Sequence, residues 1–195
     1  MVMSYDALDG APDEALLVAY GNGDVAAARA LTLRLTPRAL AHAARMLGDR
    51  AEAEDVAQEA MLRLWRIAPD WRQGEAKVTT WLYRVVSNLC TDRLRRSGRT
   101  LPIDAIADPP APDPGALARL AEADRAAALQ AALLRLPDRQ REAVVLRHLE
   151  GLTNPEIAAV MDIGVEAVES LTARGKRALQ ALLEGRKAEL GYDDD

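Results

Sequence analysis

Apolar residues recur along this chain at helical rather than strand spacing. Between Val78 and Arg96, Leu82, Val85, Val86 and Leu89 stand at i, i+3, i+4 and i+7, which gathers them on one face of a helix. Between Asp49 and Ile67, the residues Val56, Ala60, Leu64 and Ile67 line up in the same way. No run alternates apolar and polar residues as a half-buried strand would, so the expected class is all-α.

Turn and cap residues divide the pattern. Helices are expected over about Asp13–Tyr20, Asp24–Leu35, from Thr36-Pro37 to near Gly48, Asp49–Ile67 and Val78–Arg96. Asp49 with Glu52 three residues on has the form of a capping box, and Pro37 after Thr36 suits a first helical position. A second group follows over about Leu117–Leu136, Asp138–Leu149, Asn154–Met161 and Val165–Leu183. Five of the ten prolines fall between Pro102 and Pro114, and proline removes a helix donor and restricts its predecessor. The expected organisation is therefore a helical domain over 11–97, a proline-rich linker over 98–116, a second helical domain over 117–187 and an acidic tail over 188–195.

Composition narrows the function. Phe is absent and aromatics make up 4%, which again favours helices. Cys90 is the only cysteine, and His42 and His148 are the only histidines, so no disulfide framework or thiolate zinc cluster is expected. No Walker-type loop, HExxH, GxSxG or GxGxxG occurs, and no apolar run approaches a membrane span of about 20 residues. The expectation is a soluble intracellular protein with no catalytic residues, metal or cofactor. The net charge of −5 argues against nucleic acid, but residues 61–99 carry 9 basic and 3 acidic side chains, a basic stretch hidden in an acidic total.

Three constellations carry candidate chemistry. The first is a helix-turn-helix between Glu150 and Arg177. Thr153 and Glu156 form a capping box, Ile157, Ala158 and Met161 face inward, and Asp162-Ile163-Gly164 makes the turn. Val165, Val168, Leu171 and Thr172 are the expected inner positions of the second helix. Its outer positions are Glu166, Glu169, Ser170 and Ala173, followed by Arg174, Lys176 and Arg177, which suit phosphate contacts. The second is the outer line Trp81, Arg84, Asn88, Asp92 and Arg95, with Arg96 beside it. Such a line can hydrogen-bond bases and stack on an unpaired one. The third is the outer stripe Asp55, Gln58, Glu59, Leu62 and Arg66, an acidic-polar surface with one apolar anchor. Each has a simpler alternative, namely an αα-hairpin for the first and solvated helix faces for the other two.

Together these residues resemble the extracytoplasmic-function type of bacterial sigma factor, the smallest members of the sigma-70 family. The resemblance covers about 14–97 and 117–183. The region 2 pattern is Asp55-Val56-Ala57-Gln58-Glu59, Trp65, Thr80-Trp81-Leu82-Tyr83-Arg84-Val85-Val86-Ser87-Asn88, Asp92 and Arg95-Arg96. The region 4 pattern is Leu136-Pro137, Arg141, Glu150-Gly151-Leu152-Thr153, Glu156-Ile157-Ala158, Val168 and Ser170. The chain departs from the family at Gly164, Glu169 and Leu171, where a hydroxyl cap and basic residues are common.

The resemblance implies a transcription initiation factor, not an enzyme, that binds core RNA polymerase through its β′ and β subunits. It implies that the Asp55–Arg66 stripe meets β′, that Trp81–Arg96 and the loop Ala68–Thr79 recognise and open the −10 element, and that the helix-turn-helix reads the −35 element. It further implies promoter DNA and an anti-sigma factor as partners, a cytoplasmic location and no direct membrane insertion. Two rivals are weighed against it. A LuxR-like output domain would fit Gly151–Ala158 but leaves Asp55–Glu59 and Trp81–Arg96 unexplained. A sigma-like decoy that binds an anti-sigma factor without touching DNA would suit the acidic front of the second helix.

Overall fold

A computed structural model of the chain describes residues 10–72, 74, 77–96 and 116–184. Every regular element among them is helical. The elements are α1 (Asp13–Gly21), α2 (Val25–Leu47), α3 (Arg50–Ile67), a 3₁₀ turn (Ala68–Asp70), α4 (Val78–Arg96), α5 (Ala116–Leu134), α6 (Asp138–Val144), a π turn (Val145–Leu149), α7 (Asn154–Met161) and α8 (Val165–Glu184). The expected linker over 98–116 lies outside the described residues except for Ala116, which opens α5, and the acidic tail lies outside them, as do Gln73, Glu75 and Ala76 of the loop before α4.

Helices α1 to α4 pack around one core. The stripes read from the sequence mostly turn inward: Val56, Ala60, Leu64, Leu82 and Val86 are fully buried, and Ile67 and Val85 are half-buried. Fully burying a valine or leucine side chain contributes about 1.5–3 kcal/mol. Asp24 caps α2 by accepting from the Ala26 and Ala27 amides at 3.0 and 3.3 Å. Asp49 caps α3 by accepting from the Glu52 amide at 3.0 Å, while the Glu52 carboxylate accepts from Arg93 Nε of α4 at 2.6 Å. That pair ties two helices of the bundle rather than closing the expected box.

One expected boundary is absent. Thr36-Pro37 does not start a new helix, because α2 runs unbroken through Pro37. Proline inside a helix costs roughly 3 kcal/mol through a lost hydrogen bond and a ring clash. The buried stripe Leu31, Leu35, Ala39, His42 and Met46 continues on one face across that point and offsets the loss.

The C-terminal elements form two smaller clusters. Leu133, Leu136, Val144 and Val145 make one, and Leu146, Leu152, Ile157, Val160, Met161 and Val168 lie in the other. Gly175 allows α8 to approach α6, since a Cβ there would come within 2.6 Å of Val144 Cγ2 and 3.0 Å of the Gln140 carbonyl oxygen. Val165 was expected to face inward but is 40% exposed. It is the first residue of α8, and the buried positions of that helix begin one turn later at Val168.

Candidate nucleic-acid interface

The outer stripe of α3 keeps its expected character. Asp55, Gln58, Leu62 and Arg66 are exposed, and Glu59 is half-buried. Arg63 Nε donates to Glu59 Oε1 at 2.8 Å, and this bond holds the Glu59 carboxyl below the usual carboxylate range. Leu62, 44% exposed, borders a groove of about 370 Å³ whose floor includes Leu40, Ala57, Met61 and Trp65. An exposed leucine beside an open apolar groove, with charges at its rim, has the anatomy of a protein-docking surface.

The helix-turn-helix forms as the capping pattern dictates. The Glu156 carboxylate accepts from the Thr153 amide at 2.9 Å and the Thr153 hydroxyl at 2.7 Å. Asp162 adopts the left-handed conformation (φ 54°) that ends α7, and its successor Ile163 donates to the Ala158 carbonyl. The Gly164 carbonyl accepts the first bonds of α8, from the Ala167 and Val168 amides. Glu166, Glu169, Ser170, Ala173, Arg174, Lys176 and Arg177 are all exposed along α8. Arg174 and Arg177 fold back on the Ser170 and Ala173 carbonyls, so their guanidinium groups stay near the helix surface. Glu169 accepts a long bond of 3.4 Å from Asn154 of α7.

The outer line of α4 has a different setting. Arg84, Asn88, Asp92, Arg95 and Arg96 are exposed, whereas Trp81 is half-buried and packs against the N-terminal core. Arg84, Asn88, Asp92 and Arg95 form one wall of a polar cavity of about 450 Å³. The opposite wall comes from the C-terminal half and includes Arg139, Glu142 and Asp162. Arg84 Nη2 lies 3.9 Å from Asp162 Oδ1 across this gap. The line expected to face DNA is therefore exposed but borders the second half of the same chain.

The chain matches two family models, Sigma-70 region 2 over residues 31–100 and Sigma-70, region 4 over residues 126–179. The chain belongs to the extracytoplasmic-function sigma factors of the sigma-70 family. It is 37% identical over 174 residues to the ECF RNA polymerase sigma factor SigM of Mycobacterium tuberculosis (strain H37Rv), covering 88% of this chain and 84% of SigM. It is 30% identical over 177 residues to the ECF RNA polymerase sigma-E factor of Escherichia coli K12, covering 86% of this chain and 92% of that protein. Among solved structures, CnrH in complex with the cytosolic domain of CnrY aligns with a TM-score of 0.64 at 29% identity, covering 89% of this chain and 97% of CnrH. The LuxR-like reading fails at this point, because region 2 is matched as well as the helix-turn-helix.

As a sigma factor the protein directs RNA polymerase to promoters, and its family consists of initiation factors rather than enzymes. Among the described residues no helix is long and apolar enough to cross a membrane. Sequence reasoning missed the residues that join the two halves of this sigma factor. Tyr83 of α4 is 4% exposed and belongs to one buried cluster with Ala143, Leu146, Leu152, Ile157, Val160, Met161 and Val168 of the C-terminal half. Its hydroxyl donates to Glu150 Oε2 at 2.6 Å, and Arg45 Nη1 donates to Glu150 Oε1 at 2.5 Å. Burial and then the Glu150 bond push the Tyr83 phenol well above its ordinary value. His42 is fully buried with Nε2 at 3.0 Å from Ser87 Oγ, and its ring meets Tyr83 edge-on. Ser87 also hydrogen-bonds Glu142, whose carboxyl is raised chiefly by burial. The available signal was a second inward line on α4, Tyr83, Ser87 and Cys90 at offsets of four and three, all buried.

Proposed function

We propose that this sigma factor binds core RNA polymerase through the Asp55–Arg66 stripe, on the β′ subunit, and contacts β as well. Its α4 helix and the preceding loop recognise and open the −10 element, and α8 reads the −35 element. The observation that carries this reading is the pairing of two surfaces on one chain. One is an exposed acidic-polar helix stripe with a central leucine. The other is a helix-turn-helix whose outer positions are all exposed and end in three cations. Charge holds DNA, but opening it also needs hydrogen bonds and stacking to unpaired bases. Asn88 and Arg84 supply the hydrogen bonds once the face of α4 is free. An anti-sigma factor holds the protein inactive in the cytoplasm, a reading supported by the family and by the complex of CnrH with the cytosolic domain of CnrY.

Run-off transcription with purified core polymerase tests this reading. A promoter-specific transcript that depends on the added chain is expected. Asn88→Ala in holoenzyme should lose most transcription from duplex promoter and regain much of it on a template mismatched across the −10 region, because unpairing a base costs a few kcal/mol. Absence of any promoter-specific transcript from the native chain would leave the decoy as the better account. Equal loss on both templates would remove Asn88 from strand opening.

A further inference from the structure

The outer face of α8 carries its charge in two blocks. Glu166 and Glu169 occupy the first two turns, and Arg174, Lys176 and Arg177 follow, all of them exposed. In a helix-turn-helix the N-terminal residues of the second helix meet base edges, and cations suit the phosphates. A carboxylate set against phosphate is repelled, so this order fixes a docking polarity, with the cations on the strands and the carboxylates over the bases. The acidic front therefore adds nothing to affinity. It can add choice, because specificity is a difference of affinities and is gained by penalising the wrong partner. Of the two carboxylates, Glu169 is tied to the first helix of the motif. Its Oε1 accepts from Asn154 Nδ2 at 3.4 Å, which leaves Oε2 available as an acceptor. Asn154 is half-buried and opens α7. Ser170, beside Glu169, both donates and accepts and so tolerates any base.

We propose that Glu169, held by Asn154, is a specificity-determining residue of this helix and selects cytosine at one base pair of the −35 element. The inference rests on the reading of α8 as the −35 helix. A carboxylate accepts hydrogen bonds and donates none. In the major groove guanine presents two acceptors, thymine an acceptor and a methyl group, and adenine an acceptor beside its amino group, whereas cytosine presents its amino donor alone. Glu169 Oε2 therefore finds a donor without an adjoining acceptor only at cytosine. At the other three bases a negative oxygen is brought against a lone pair, and one wrong pair of this kind weakens binding roughly five- to a hundredfold. Asn154 is a positioning residue, which touches no base and acts by limiting the rotamers of Glu169. The same carboxylate repels the phosphates of every sequence, so Glu169 exchanges strength of binding for discrimination.

The test uses holoenzyme assembled from core RNA polymerase and the full chain, native or variant, at one fixed salt concentration. Duplex DNA randomised over both promoter elements is selected by binding and sequenced. The four base pairs at each upstream position are then compared by competition against the selected sequence. The native protein is expected to favour cytosine at one upstream position by roughly tenfold or more. Glu169→Gln should move that preference to adenine, at that position alone, because a side-chain amide pairs with both the amino group and N7 of adenine. Glu169→Ala should level the position and raise affinity for the three disfavoured base pairs. Asn154→Ala should reduce discrimination there severalfold and leave the other positions as they were. A merely structural role for either residue would weaken all sequences alike. That result overturns the proposal, and so does a preference that Glu169→Gln leaves unchanged while the other upstream positions are still read. Failure of the −35 reading itself shows separately, as native holoenzyme with no preference at any upstream position, and it takes this inference with it.

Discussion

The N-terminal half of this sigma factor builds its core from four helices and keeps its own aromatic residues. Tyr20 and Trp65 meet edge-on with centroids 4.9 Å apart, and Trp71 and Trp81 pack on the same core. The C-terminal half has no such material, since residues 116–184 contain no Phe, Trp or Tyr. Its core is aliphatic, and the one aromatic ring in it is Tyr83, on a helix of the other half. A small helical unit that borrows a ring in this way gains packing but ties its stability to the interdomain contact. The two halves are therefore unequal partners, one self-sufficient and one completed by its neighbour.

The sharpest way to break this comparison is Tyr83→Ala. Removing a buried aromatic costs about 3–5 kcal/mol, and the loss should fall on the C-terminal half although the residue lies on an N-terminal helix. Hydrogen exchange should show faster opening of α7 and α8, with α2 and α3 much less affected. Uniform acceleration in both halves would show that Tyr83 belongs to the N-terminal core after all.

An effect that appears only as the pH falls comes from His42, on the N-terminal half. Burial first, and Arg45 second, lower its imidazole from 6.5 to about 3. Between those values the unfolded chain binds a proton that the folded chain refuses. Stability is thus fully present above about 6.5 and is lost as pH falls towards 3, with a slope of at most ~1.4 kcal/mol per pH unit. His42→Gln cannot titrate, so urea unfolding of the variant should show a flatter acid limb than the native protein. Parallel acid limbs would remove His42 as the cause.

The smallest effect on stability is expected on the exposed stripe. Gln58→Ala with Glu59→Ala should change unfolding free energy by less than about 0.5 kcal/mol, as exposed changes do, while weakening holoenzyme formation in a binding assay. Native affinity for core polymerase would detach this stripe from docking.

The helix-turn-helix was legible because its signals are local. Thr153 with Glu156, the Asp162–Gly164 turn and Val168 lie within sixteen residues and obey capping and spacing rules that need no tertiary partner. The inward stripe of α4 was legible for the same reason. The break expected at Thr36-Pro37 was not realised, because a local penalty at Pro37 competes with a buried stripe running the length of α2, and only the packed structure shows that the stripe prevails.

Helical spacing, caps and the order of motifs determined by themselves that this chain is all-α, that it carries region 2-like and region 4-like parts, and that its candidate contacts lie on the outer faces of α3, α4 and α8. Which of those faces borders the other half of the chain was decided only by tertiary structure. The pairing of Glu150 with Arg45 spans 105 positions and its pairing with Tyr83 spans 67. No periodicity rule reaches across such separations, because each residue obeys its own helix's pattern and nothing local records which helix will be its neighbour. The same physics places Tyr83 beside Leu82 in sequence yet in another half's core, and it makes the outer line of α4, although exposed, one wall of a cavity shared with the other half.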